Sequence, residues 1–172
     1  MRKLVALILT AILFVGAACE TIADENSTKT TSGSQVLTAV VPQTTWELVI
    51  PADATIPYKQ SSVSIGTVRI TNVENLNEQA AIVASVRYMG ELASQSEKIT
   101  IPYSLSANII LEDGNSYSYE IQKKAEVSVA RYSLAENDYR WYSELTVSIA
   151  DADWGVPPGS YSETIQYSSY LR

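Results

Sequence analysis

Glu112-Asp113-Gly114-Asn115-Ser116-Tyr117-Ser118-Tyr119-Glu120-Ile121 is the stretch from which the rest of the chain is read. Glu112 to Asn115 is a hairpin signal, because glycine accepts the positive φ that tight turns demand. Beyond it, Tyr117, Tyr119 and Ile121 fall on one side, with Ser116, Ser118 and Glu120 on the other. That period of two is the pattern of a half-buried strand.

The same period recurs to either side. Val36-Leu37-Thr38-Ala39-Val40-Val41 is rich in β-branched residues and ends at Pro42, which cannot donate to a ladder. Trp46 to Ile50 is closed by Pro51, and residues 51–61 read as a loop. Val63 to Ile65 and Val68 to Ile70 alternate around Gly66, which predicts a bulge within one strand. A turn is expected over Asn72 to Gln79, then a strand over Ala80 to Tyr88 with Ile82, Ala84, Val86 and Tyr88 on one face. Ile99 to Ile101, Tyr103 to Leu105, Asn108 to Leu111 and Val127 to Val129 extend the series. Leu134 to Tyr142 has the composition of one or two helical turns. Leu145, Val147 and Ile149 alternate with Thr146 and Ser148, Asp151 to Gly159 reads as a proline-rich turn, and Tyr161 to Tyr167 as a last strand. No segment sustains a helical apolar period, so the expected class is all-β, a two-sheet β-sandwich of about seven to nine strands.

The first 23 residues have the layout of a secretory signal peptide: Arg2 and Lys3, then the apolar stretch Leu4 to Ala18, then a short polar region. The apolar stretch is shorter than the roughly 20 residues that span a bilayer. Two cleavage readings stand. Thr21-Ile22-Ala23 offers small residues to a general signal peptidase before Asp24, whereas Gly16-Ala17-Ala18-Cys19 resembles a lipobox that would place a lipid on Cys19. The usual lipobox has Leu, Val or Ile where this chain has Gly16.

Removal of residues 1–23 leaves 149 residues, with basic residues falling from 12 to 10 and acidic from 19 to 18, so the formal charge moves from −7 to −8. An acidic chain without a basic cluster is a poor nucleic-acid binder. The sequence has no histidine, and its one cysteine is Cys19. Beyond the signal there is therefore no thiol nucleophile, no histidine base and no disulfide framework. No Gly-x-Ser-x-Gly elbow and no phosphate-binding glycine loop occurs. Asp151-Ala152-Asp153 and the Glu112 to Asn115 turn cluster oxygens without the spaced repeat of a calcium loop. The expected chain is not an enzyme and carries no cofactor or metal. Residues 24–35 contain no apolar side chain and are expected to form a disordered linker, leaving residues 36–172 as the folded domain.

Thr38-Ala39-Val40-Val41-Pro42 followed by Trp46-Glu47-Leu48-Val49-Ile50-Pro51-Ala52 resembles the opening strand pair of small secreted surface proteins from Gram-positive bacteria, clostridia especially. The run from Leu145 to Ile149, Trp154, and Pro158-Gly159-Ser160-Tyr161-Ser162-Glu163-Thr164-Ile165 resembles their closing hairpin. It is also similar to the terminal strand of pilin-like and spore-coat-like domains. These stretches cover about a third of the mature chain. The resemblance implies an immunoglobulin-like fold and exposure at a cell surface, and it brings no catalytic residues.

Two candidate binding features remain. The polar linker runs into a β-branched segment in which Val36, Leu37, Val40 and Val41 could form a donor strand, paired at home or lent to a neighbouring sheet edge. The eleven Tyr and three Trp all carry polar handles. Tyr117 and Tyr119, or Trp141 and Tyr142 with Tyr132 and Tyr139, could form a stacking platform for a glycan. Trp46 and Trp154 are expected in the core. The expected function is that of a secreted cell-surface structural or adhesive module, a self-assembling fibre or pilus-like subunit being its sharpest form, with carbohydrate binding as the alternative. The expected partners are other surface proteins, further copies of the chain, or a glycan. A membrane would be met only through the signal segment or a lipid on Cys19.

Overall fold

The computed structural model describes residues 37–95, 98–135 and 138–172. Cys19, Val36, the export segment and the polar linker lie outside the described residues. The chain divides into two compact units, residues 1–39 and 40–172. Of the first, only Leu37 to Ala39 are described, and they belong to no strand.

The second unit is all-β. Its eleven described strands are β1 (Thr45–Val49), β2 (Ser62–Glu74), β3 (Ala81–Arg87), β4 (Glu91–Ser94), β5 (Thr100–Pro102), β6 (Ser104–Leu111), β7 (Ser116–Glu120), β8 (Val127–Ser133), β9 (Trp141–Ser148), β10 (Tyr161–Ser162) and β11 (Gln166–Leu171). All described pairings are antiparallel. The larger sheet runs β1-β2-β9-β8-β3-β11, with β6 and β7 added beside β9, and β10-β4-β5 forms a small second sheet. The β8–β9 join consists of one residue pair, Arg131 with Trp141. The larger sheet therefore folds at that join into two leaves, β7-β6-β9-β2-β1 and β8-β3-β11. Together they make the expected β-sandwich.

Period-two patterning explains the packing. From one leaf Val68, Leu105, Ala107, Leu145 and Val147 turn inward, and from the other Ile82, Ala84, Val86 and Val129, all within one apolar cluster. Burial of such a side chain contributes roughly 1.5–3 kcal/mol. The buried Tyr88 satisfies its phenol twice: its hydroxyl donates to the Ile121 carbonyl at 2.9 Å and accepts from the Leu105 N–H at 3.2 Å. That pair ties β3 to β6 and to the segment after β7.

Most of the expected strands form, and Gly66 sits at the expected bulge, with φ of 128° and a register shift between Ser64 and Gly66. The Glu112 to Asn115 hairpin also forms, with Gly114 at φ of 86°. Five expectations need correction. Leu37 to Val41 form no strand, because none of the described strands pairs with them. Leu134 and Ala135 are not helical, and Trp141 and Tyr142 open β9, where pairing to Leu111 and Ile110 overrides local helical composition. The last strand is broken into β10 and β11 by Glu163 to Ile165. The turn expected over Asn72 to Gln79 starts later, because β2 runs on to Glu74, while β3 keeps Ile82, Ala84 and Val86 on one face as expected and buries its other face as well. Trp154 is core, but Trp46 is half-buried, its Nε1 donating to Ser169 Oγ at 2.9 Å.

Candidate functional site

The segment before β1 is the first candidate. Leu37, Val40 and Val41 are 84%, 87% and 84% exposed, among the highest values for large apolar side chains in the described residues. The chain is fastened just after this arm. Thr44 Oγ1 donates to the Asn75 carbonyl at 2.9 Å, and Asn75 Nδ2 donates to the Gln43 carbonyl at 3.3 Å. These bonds set residues 43–45 against the end of β2, where Asn75 adopts a left-handed φ of 55°. Three apolar side chains remain in water beyond that anchor.

The aromatic residues are less concentrated than their number promises. Tyr117 pairs with Ile109, which pairs with Ser143, and Tyr119 pairs with Ala107, which pairs with Leu145. Ala107, Ile109, Ser143 and Leu145 are all buried, so Tyr117 and Tyr119 stand on the core side of an overhanging edge strand. Trp141 shares that side, two residues from Ser143. Tyr142, its chain neighbour, faces the opposite way, with the Arg69 guanidinium 4.2 Å from its ring centre. The four residues thus divide between two faces and form no common platform. Tyr119 is also committed within the fold, its hydroxyl donating to the Ser128 carbonyl at 2.7 Å. Burial, and then the neighbouring Tyr117, raise its pKa. Tyr132 is covered by the Arg140 guanidinium, and Tyr139 is exposed.

A site that sequence patterning misses lies at Glu163, between β10 and β11. Its carboxylate accepts the backbone N–H groups of Met89, Gly90 (3.1 Å) and Glu91 (3.0 Å). Gly90 adopts φ of 84°, which turns successive N–H groups toward one point. The Tyr103 hydroxyl also bonds to Glu163; burial raises the Tyr103 pKa, and the carboxylate's charge and hydrogen bond raise it further. Tyr167 nearby is pushed up to about 12 by burial. Glu163 thus fills an anion cradle with the chain's own carboxylate and fixes where β11 begins.

Two depressions meet at this point. One, of about 560 Å³, is lined by Arg87, Glu126 and Thr164 to Ser168. The other, of about 200 Å³, reaches Ile56, Ile65, Leu92 and Val147 and shares Thr164, Ile165 and Tyr167 with the first. β11 follows directly and pairs only with β3 among the described residues, leaving its other edge open.

The described residues contain no group of three or more metal-ligating side chains, and no helix long and apolar enough to cross a membrane. The chain matches no protein-family model, no curated protein and no solved structure.

Proposed function

We propose that the chain is a non-catalytic structural module of the cell surface that associates with further copies of itself by lending the Leu37–Val41 arm as a strand. The observation that carries this reading is the exposure of Leu37, Val40 and Val41 in a segment of high β-propensity that pairs with no described strand. Apolar side chains left in water beside open sheet edges are the ingredients of strand addition. The resemblance to small secreted surface proteins and the signal-like first 23 residues point the same way.

Magnitudes favour a reversible association. Ordering five residues costs roughly 1–2 kcal/mol each, and burying each exposed apolar side chain returns roughly 1.5–3 kcal/mol. These nearly cancel, so ladder hydrogen bonds of about 1 kcal/mol each decide the outcome. Association should therefore depend on concentration.

The test is light scattering after size-exclusion chromatography of residues 24–172 and of residues 42–172. The longer chain is expected to form species above the monomer that dissociate on dilution, and the shorter chain a folded monomer. A monomer at every concentration of the longer chain would refute the proposal. So would unfolding of the shorter chain, because it would mean that the arm pairs at home.

A further inference from the structure

We infer that the acceptor of the arm is the free edge of β11 in a second copy, an inference that rests on the self-association proposed above. Native sheets guard exposed edges with charges, prolines, bulges or extreme shortness. The edges of the described sheets can be ranked on that basis. β10 has two residues, and β5 has three and includes Pro102. β7 carries Glu120, and its Tyr119 hydroxyl is tied to the Ser128 carbonyl. β1 carries Glu47, which accepts from Asn72 Nδ2, and its register breaks between Thr45 and Glu47. β11 is less guarded than these: Ser168 Oγ donates to Glu126 Oε1 at 3.0 Å and Ser169 Oγ accepts from Trp46, but both bonds use side chains and leave the backbone of its open edge unpaired. Its six residues, Gln166-Tyr167-Ser168-Ser169-Tyr170-Leu171, contain neither charge nor proline and pair with β3 in unbroken register.

The faces are complementary. Tyr167, Ser169 and Leu171 pair with Val86, Ala84 and Ile82, so they lie on the core side of β11, while Ser168 and Tyr170 face outward. Tyr170 and Leu171 remain 43% and 48% exposed at the unpaired edge. An extended arm places Leu37, Ala39 and Val41 on one side and Thr38 and Val40 on the other. Added beside β11, the first set continues the core face next to Leu171, and Val40 meets Tyr170. The Trp46 bond to Ser169 holds the edge in place before any partner arrives.

Two experiments on the chain from Asp24 test the assignment. In the first, S168K/Y170K places two lysines on the outward side of β11, S168K exchanging the Ser168 bond to Glu126 for an ammonium beside the same carboxylate. Loss of every species above the monomer, with the circular dichroism of the parent chain, is expected. In the second, single cysteines are introduced into a chain that beyond residue 23 has none, and pairs of variants are mixed with a short bis-maleimide linker. V40C with Y170C should give the cross-linked pair of chains, and V40C with S116C, at the β7 edge, should not. Persistence of the assemblies in S168K/Y170K, or cross-linking that favours S116C, would overturn β11 as acceptor while leaving arm-mediated association standing. Absence of any assembly in the parent chain would overturn both.

Discussion

Ser143 sits in the β-sandwich with no exposure, and its Oγ has no hydrogen-bond partner among the described residues. A buried hydroxyl without a partner costs about 1–3 kcal/mol of desolvation. Ser143→Ala removes that cost and leaves only a small void, so a stability gain of about 1 kcal/mol is expected as a higher urea midpoint. A lower midpoint would show that the hydroxyl is bonded after all. Glu163 presents the opposite case, a carboxylate accepting three backbone N–H groups and the Tyr103 hydroxyl. Glu163→Gln keeps the shape but loses the charge and one acceptor. With the site half-exposed, a loss of about 1 kcal/mol is expected. The Tyr103 phenol should then ionise at lower pH in an ultraviolet titration, because the carboxylate no longer opposes its phenolate. An unchanged Tyr103 titration would deny the contact.

At the scale of elements, the Gly66 bulge is the sharpest test of local conformation. A Cβ added there would lie 3.1 Å from Pro51 Cβ on a backbone at φ of 128°. Gly66→Ala should therefore cost about 1–3 kcal/mol from backbone strain together with crowding; a cost near zero would mean that β2 pairs without the bulge. This bulge is legible in the sequence because a glycine that interrupts alternation weakens a strand and is kept where the backbone must bend. The core strands are legible for a related reason: Leu145, Val147 and Ile149 declare a buried face by period alone. Other elements are not legible, each for a physical reason. β4, Glu91-Leu92-Ala93-Ser94, is too short and too poor in apolar residues to carry a period. The break after β10 depends on Glu163 reaching residues more than 70 positions away, which no local pattern encodes. Trp141 and Tyr142 read as helix because a window of nine residues cannot report that Leu111 and Ile110 await them. Alternation also places Tyr117 and Tyr119 together without fixing their register against β9, which sets Trp141 on their side and Tyr142 on the other. The arm is the inverse: its strand propensity is plain, but the identity of its partner is a property of two molecules.

For the whole molecule, ionisation sets a stability window. Tyr103 and Tyr167 have raised pKa values in the fold, Tyr167 to about 12, against an ordinary value of 10.0. A raised value means that the folded state holds its proton longer, so this stabilisation is complete below about pH 10 and is lost as pH climbs toward the folded values. Asp138 is displaced the other way, chiefly by its hydrogen bond from Arg131. Its contribution, of at most about 1 kcal/mol for a partly exposed pair, is present above about pH 4 and fades as pH falls through its lowered value. Urea midpoints should hold level across neutral pH and decline on both sides; a midpoint unchanged to pH 12 would contradict the burial of these phenols. Self-association requires that the arm become a strand only when copies meet, and amide hydrogen exchange on residues 24–172 tests this requirement at the residues concerned. The amides of Leu37 to Val41 are expected to exchange at unprotected rates in dilute monomer and to slow together as the chains associate. Protection of those amides at every dilution would mean that the arm pairs within its own domain, and strand lending between copies would be refuted.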